Sequence, residues 1–352
     1  MFKSVRIQNF RQFRDLELRD LAQINLITGK NSAGKTSLLE AVYLLDGPFD
    51  PTRTITVAQF RGIGVSPGNP ELWDWLFHNR NTSQPFALSG EAEDGQKSTL
   101  MASLSQGSLI PTTANGAEGG PGALPSIDYS GPPPALVYET RIDEEAPQRV
   151  QLAWTNYELR LDPGLPERRA QGFFLPEFLR AGPAEAVRLS RLELVGQEGR
   201  LVEALQVLEP RLRQLKVLDF GEGARVYADI GQHPLVPLAV MGQGVGRLLM
   251  IAAAIILRES SVYLVDELAD GFHYTTLANV WRVIVNLAVE HSAQIFATTH
   301  SLEAIEAAVE GSKGHEDKLA LFRLSTRDGE VHVTAVEDEG IRAAVEFAFE
   351  LR

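Results

Sequence analysis

Residues 29–36 read Gly-Lys-Asn-Ser-Ala-Gly-Lys-Thr, and this octet restricts the available folds more than any other stretch of the chain. It carries the G-x-x-x-x-G-K-[ST] pattern of a phosphate-binding loop. An apolar run (Ile24, Leu26, Ile27) precedes it and reads as a strand, while Ser37 to Tyr43 follows and reads as a helix. A strand, a glycine-rich turn and a helix in that order predict an α/β fold built on a parallel sheet. Gly29 and Gly34 let the backbone turn its N–H groups inward, and the helix starting near Lys35 adds the positive end of its dipole. Gly29, Lys30, Asn31, Ser32, Ala33, Gly34, Lys35, Thr36 and Ser37 are thus expected to cradle nucleotide phosphates. Lys35 would reach the β- and γ-phosphates, and the Thr36 hydroxyl would ligate Mg²⁺.

Three further segments fit the same site. Val262-Tyr263-Leu264-Val265-Asp266-Glu267 is an apolar strand ending in two acids. Ligands of a parallel sheet sit beyond the C-terminal strand edge, so Asp266 is placed for the Mg²⁺ shell and Glu267 to orient or deprotonate an attacking water. Gln294 to Ser301 is another strand with a polar end, Thr298-Thr299-His300-Ser301, where a neutral His300 can hydrogen-bond a γ-phosphate or the water. Met241-Gly242-Gln243-Gly244-Val245-Gly246 turns into an apolar helix and offers a second anion-binding N-terminus. One nucleotide rarely needs two such turns, so Gly242, Gln243 and Gly244 are expected to cap the nucleotide of another copy. His78, His233, His291, His315 and His332 read as structural, and no zinc-type spacing occurs, so Mg²⁺ is the one metal expected.

At 352 residues the chain has room for about two domains or one large domain with an insertion. It has 44% hydrophobic and 22% charged residues, a globular balance, and no cysteine, which removes disulfides and thiolate metal sites and fits a cytoplasmic protein. No signal peptide is visible, and the longest apolar run, Leu248–Leu257, is bounded by Arg247 and Arg258 and is too short to cross a bilayer. The net charge of −13 argues against a surface that coats nucleic acid, and even residues 160–225 are only neutral.

The opening reads as a short β-meander (5–10, 13–18, 24–28), and the loop helix ends before Gly47-Pro48. Strands are expected at 85–91 and 99–104, a mobile Gly/Pro/Ser-rich loop over 105–134, and a hairpin of 135–142 with 149–161. A helical region over 184–216 is interrupted by Gly196 and Gly199 and has no sustained heptad. A strand at 225–230 precedes alternating helices and strands to 336, at 245–258, 262–265, 275–290, 294–298, 302–309, 319–324 and 331–336.

With these residues in place the chain resembles the ABC-type ATPases of the SMC/RecF/OLD group. Ile7-Gln8-Asn9-Phe10-Arg11-Gln12-Phe13 is similar to that group's I-x-N-F-R-x-F opening. Gly29–Thr36 resembles Walker A, Met241–Leu249 the signature, Asp266-Glu267 Walker B, and Thr298–Ser301 the switch-histidine T-T-H-S. Leu268–His273 resembles the segment that follows Walker B, and Phe349–Arg352 resembles the terminus of stand-alone members, which implies a complete chain. The resemblance implies an α/β P-loop NTPase of ABC type, with a parallel-sheet core, an N-terminal antiparallel β-subdomain and a helical lobe. It divides the chain into 1–165 (first part of the ATPase lobe), 166–235 (helical lobe) and 236–352 (rest of the core). It implies ATP held with Mg²⁺ between two subunits arranged head to tail, with Lys35, Thr36 and Asp266 on phosphates and metal, Glu267 as catalytic base and His300 as γ-phosphate sensor. Gly242 stands where the group has a signature serine, and Asp270 where it has asparagine. The group's Q-loop glutamine is left open among Gln59, Gln84 and Gln151.

The leading functional expectation is a cytoplasmic ATPase whose nucleotide-dependent dimerisation gates a separate effector protein, as in bacterial anti-phage or toxin-like systems. Only about fifty residues follow His300, too few for a further nuclease domain of ordinary size. Glu337-Asp338-Glu339 reads as a solvated turn. The alternative is a RecF-like DNA-binding ATPase of repair or recombination, against which the acidic balance weighs. A transporter ATPase fits the opening motif poorly, and a GTPase lacks its N-K-x-D motif.

Overall fold

A computed structural model describes residues 1–66, 72–105, 135–155, 158–162, 172–179, 181–221 and 223–336. The expected mobile loop at 105–134, apart from its first residue, lies outside them, as do the acidic run at 337–339 and the terminus resembling that of stand-alone members. The chain opens with β1 (Phe2–Phe10), β2 (Phe13–Leu18), β3 (Ile24–Thr28), α1 (Lys35–Asp46) and α2 (Thr52–Phe60). Six strands follow: β4 (Phe86–Ala92), β5 (Lys97–Ser105), β6 (Ala135–Ile142), β7 (Gln148–Thr155), β8 (Glu158–Asp162) and β9 (Phe173–Leu175). Next come α3 (Pro183–Leu194), α4 (Glu198–Leu205), β10 (Gln214–Leu218), β11 (Arg225–Asp229) and β12 (Val236–Pro237). The last part is α5 (Gln243–Ile256), β13 (Val262–Val265), α6 (Tyr274–His291), β14 (Gln294–Thr299), α7 (Leu302–Gly311), β15 (Leu319–Arg327) and β16 (Glu330–Val336).

Contacts divide the chain into two compact units. The first holds Met1–Ser4, Leu18–Leu39 and the described residues of Ala170–Arg352; the second holds Val5–Glu17 and the described residues of Glu40–Arg169.

The first unit is built on a six-stranded sheet in the order β16-β15-β3-β14-β13-β9. All neighbours run parallel except β16, which pairs antiparallel with β15. The expected meander fails here, because β3 leaves its sequence neighbours and inserts between β14 and β15, with Leu26 beside Ala297 and Leu321. Its composition explains the move: all five residues are buried, as a central parallel strand requires, whereas a meander strand needs one wet face. Asn25, a polar residue inside it, is satisfied locally, accepting from Ala22 N at 2.9 Å and donating to Ala22 O at 2.7 Å.

Helix α5 is apolar on every face, and every residue from Gly244 to Ile256 is buried. A helix hydrophobic all round must lie inside, and α5 packs against α3, α4 and α6. Arg247, which bounds the apolar run in the sequence, is itself buried, with 1% exposure. The helical run expected over 184–216 is shorter and divided. Gly196 at φ +64° breaks it between α3 and α4, and Gln-Leu-Lys-Val-Leu of β10 pairs with β11 in a three-stranded sheet, its alternating pattern favouring strand.

The second unit is a seven-stranded sheet in the order β2-β1-β4-β5-β6-β7-β8, with β4 to β8 antiparallel. The long strand expected over 149–161 is two strands, β7 and β8, paired antiparallel with Gln151 opposite Asp162. Phe86 anchors this core, edge-to-face with Phe10 at 5.2 Å and Phe77 at 5.4 Å. Leu72, Trp73, Leu76 and Phe77 are buried, and Trp75 is exposed. Buried Glu40 takes two arginines, Arg11 of the opening motif at 3.1 Å and Arg61 at 2.6 Å.

Helices α6 and α7 cross closest at Gly311, where a Cβ would lie 2.5 Å from Trp281 Cβ and 2.7 Å from the Ala278 carbonyl. Backbone on the opposite side cannot yield as a flexible side chain would. Gly311→Ala is therefore expected to lower unfolding stability by about 1–3 kcal/mol, read from urea denaturation at unchanged m-value.

Candidate functional site

The site lies in the first unit, at the C-terminal ends of β3, β13 and β14. The loop after β3 needs left-handed backbone at three positions: Gly29 (φ +148°), Ser32 (φ +64°) and Gly34 (φ +100°). Gly29 has a second constraint, since a Cβ there would lie 2.6 Å from the Leu324 carbonyl. Lys30, Asn31 and Ser32 are exposed on the outside of the turn, while Ala33, Gly34, Lys35 and Ser37 are buried and Thr36 is half-buried. The turn is closed by Ala33 N donating to Lys30 O at 3.1 Å, and α1 starts at Lys35. Its first N–H groups face the loop without i−4 partners, which is the condition for an anion site.

Lys35 folds back over this loop. Its Nζ donates to Gly29 O at 3.0 Å and lies 3.3 Å from Glu267 Oε1, with both side chains almost wholly buried. Glu267 holds a second partner through its other oxygen, His300 Nδ1 at 2.9 Å. The His300 side chain is half exposed, so it closes the solvent side of a Lys35–Glu267–His300 row.

The Asp266 carboxylate is shared. One oxygen accepts from the Thr36 hydroxyl at 2.7 Å, the other from the Thr298 hydroxyl at 2.6 Å. Thr298 Oγ1 also accepts from Glu267 N at 2.8 Å, and Thr298 O accepts from Leu268 N at 3.0 Å. Glu267 has φ +43°, a left-handed conformation costly for any residue with a Cβ and sustained here by these bonds. A Mg²⁺ ion fits this donor set: a hydroxyl and a carboxylate oxygen already within hydrogen-bond distance are hard oxygen ligands of the kind it takes.

The sequence reading missed Arg247. From the second turn of α5 its Nη2 donates to the carbonyls of Asp266 and of Glu267 (3.2 Å), and its Nη1 to Glu177 O at 3.2 Å. Burial lowers its pKa, against the opposing pull of Asp270, Asp266, Glu177 and Glu267. Two of those acids respond in turn. Partial burial, then the neighbouring carboxylates, pushes Glu177 above its ordinary value, and burial followed by Glu267 does the same for Asp270. The only sequence signal for Arg247 was a charged residue opening an otherwise unbroken apolar helix.

At the second glycine-rich turn, Gly242 (φ +98°) and Gln243 are exposed at the start of α5, and Gly244 is buried. A Cβ on Gly244 would lie 2.6 Å from Gly271 O, so the turn packs directly on the loop that follows Glu267. Gln59, Gln84 and Gln151 all belong to the second unit, in α2, before β4 and in β7.

This sheet order and strand-end site have the fold of ABC-type P-loop ATPases. The chain belongs to the family described as "AAA domain, putative AbiEii toxin, Type IV TA system", whose profile matches residues 24–306. It is 22% identical over 346 residues to an "ATP/GTP phosphatase" of Helicobacter pylori, covering 87% of each chain. A segment of 43 residues is 49% identical to the "DNA replication and repair protein RecF" of Exiguobacterium, 12% of each protein. In fold it is similar to an SMC head bound to the C-winged helix domain of ScpA, with a TM-score of 0.50 at 10% identity, covering 96% of this chain and 98% of that one. Among the described residues no helix is long and apolar enough to cross a membrane.

Thr298→Val keeps the side-chain shape while removing one donor to Asp266 and the acceptor for Glu267 N. A stability loss of about 1–3 kcal/mol is expected from the stranded polar groups, measured by denaturant unfolding.

Proposed function

We propose that this chain is a Mg²⁺-dependent ATPase that binds and hydrolyses ATP at a head-to-tail homodimer interface. The observation that carries the reading is the shared Asp266 carboxylate, which joins Thr36 of the phosphate loop to Thr298 beside Glu267. In this reading the loop Gly29–Ser37 holds the phosphates through its N–H groups and Lys35. Thr36 and Asp266 would hold Mg²⁺, which when bound neutralises phosphate charge. Glu267 takes the proton of the attacking water, and His300, hydrogen-bonded to it through Nδ1, senses the γ-phosphate. Gly242, Gln243 and Gly244 cap the γ-phosphate of the other subunit's nucleotide through backbone N–H groups and the Gln243 amide.

The dimer acts as a nucleotide-gated switch for a separate effector protein, in phage defence or a toxin-like system within the cytoplasm. The family's description supports that role. The short, strong likeness to RecF supports a second reading, a DNA-binding ATPase of repair or recombination. A salt titration separates them, since DNA affinity that falls steeply with salt in the presence of ATP belongs to the second reading alone.

Lys35→Ala is expected to lose ATP binding in calorimetry, and tight binding by that variant would refute the phosphate-loop assignment. Glu267→Gln should retain ATP, form an ATP-dependent dimer by light scattering, and turn over about a hundredfold more slowly. Hydrolysis at the wild-type rate in that variant removes Glu267 as base.

A further inference from the structure

The backbone at Glu267 is the least ordinary part of the site, a left-handed residue between a strand end and a turn. Two groups hold it. In front, Thr298 takes the Glu267 N–H. Behind, the Arg247 guanidinium takes the carbonyls of both Asp266 and Glu267, while its other nitrogen takes Glu177 O beyond the end of β9. Arg247 thus spans two adjacent strand ends from inside α5, and its planar fork of donors suits the task. Its Nε is buried without a hydrogen-bond partner among the described residues. An apolar side chain would fill this core more cheaply, since a buried charge is costly even when surrounded by acids.

We propose that Arg247 is a positioning residue for Glu267: it fixes the peptide planes on both sides of that residue and thereby aims its carboxylate at the attacking water. It makes no contact with nucleotide, and its effect falls on the chemical step. The inference rests on the assignment of Glu267 as the base.

The test is a double-mutant cycle between Arg247→Met and Glu267→Gln, with melting temperature as the fold control. Binding is measured with a non-hydrolysable ATP analogue, hydrolysis by single turnover. Arg247→Met is expected to lower turnover by about tenfold or more, the scale of a small misplacement of a catalytic group, with analogue affinity within about threefold of wild type. In the Glu267→Gln background the same change should cost almost nothing further, because there is no base left to aim. Unchanged turnover in Arg247→Met, or a full additional loss in the Glu267→Gln background, overturns the proposal. If Arg247→Met does not fold, Arg247→Lys enters the same cycle, with a smaller but still non-additive loss expected and an additive one decisive against it. An inactive wild-type protein would refute the ATPase reading itself; an active wild type with an additive cycle refutes only the role of Arg247.

Discussion

The Asp266 carboxylate is the joint on which the site depends. It accepts a hydroxyl from Thr36, at the start of α1, and another from Thr298, near the end of β14, so three segments far apart in sequence share one anion. Charge-assisted hydrogen bonds of this length are among the stronger ones a protein makes, and Asp266 and Thr298 are both buried. Everything else in the row follows from that fixed point. Glu267 comes next in the chain, Thr298 holds its N–H, and Lys35 comes one residue before Thr36. The groups proposed as catalytic are therefore placed by backbone continuity from a single anchored side chain.

Much of this was legible in the sequence, because strand-end chemistry is written in short contiguous motifs. The phosphate loop, the paired acids and the strand ending at His300 each declare themselves locally, and a parallel sheet brings such ends together. Local pattern also located nearly every helix and strand from α5 onward. What sequence could not carry was pairing at a distance. Ile24–Thr28 reads as a third meander strand by proximity, and only the burial of both its faces sends it between β14 and β15. Strand β10 was absorbed into a helical stretch for a related reason: five residues give too little periodicity to compete with the two helices before it.

The site's own omission has the same origin. Arg247 looks like punctuation at the start of an apolar helix, since a charged residue flanking such a run usually marks its exposed end. Its work depends on carbonyls at 177, 266 and 267, which no local pattern links to position 247. Gly244 is a similar case. Read alone, it is a flexible residue of an anion-binding turn; in place, it is the point where that turn touches the backbone of Gly271.

The ion pair between Lys35 and Glu267 has a consequence for how a nucleotide enters. The lysine is deeply buried, so its charge is answered from within the protein before any phosphate arrives. In the proposed ATPase, loading the loop is then an exchange of counter-ions, in which a phosphate takes Lys35 and releases the Glu267 carboxylate from its internal partner.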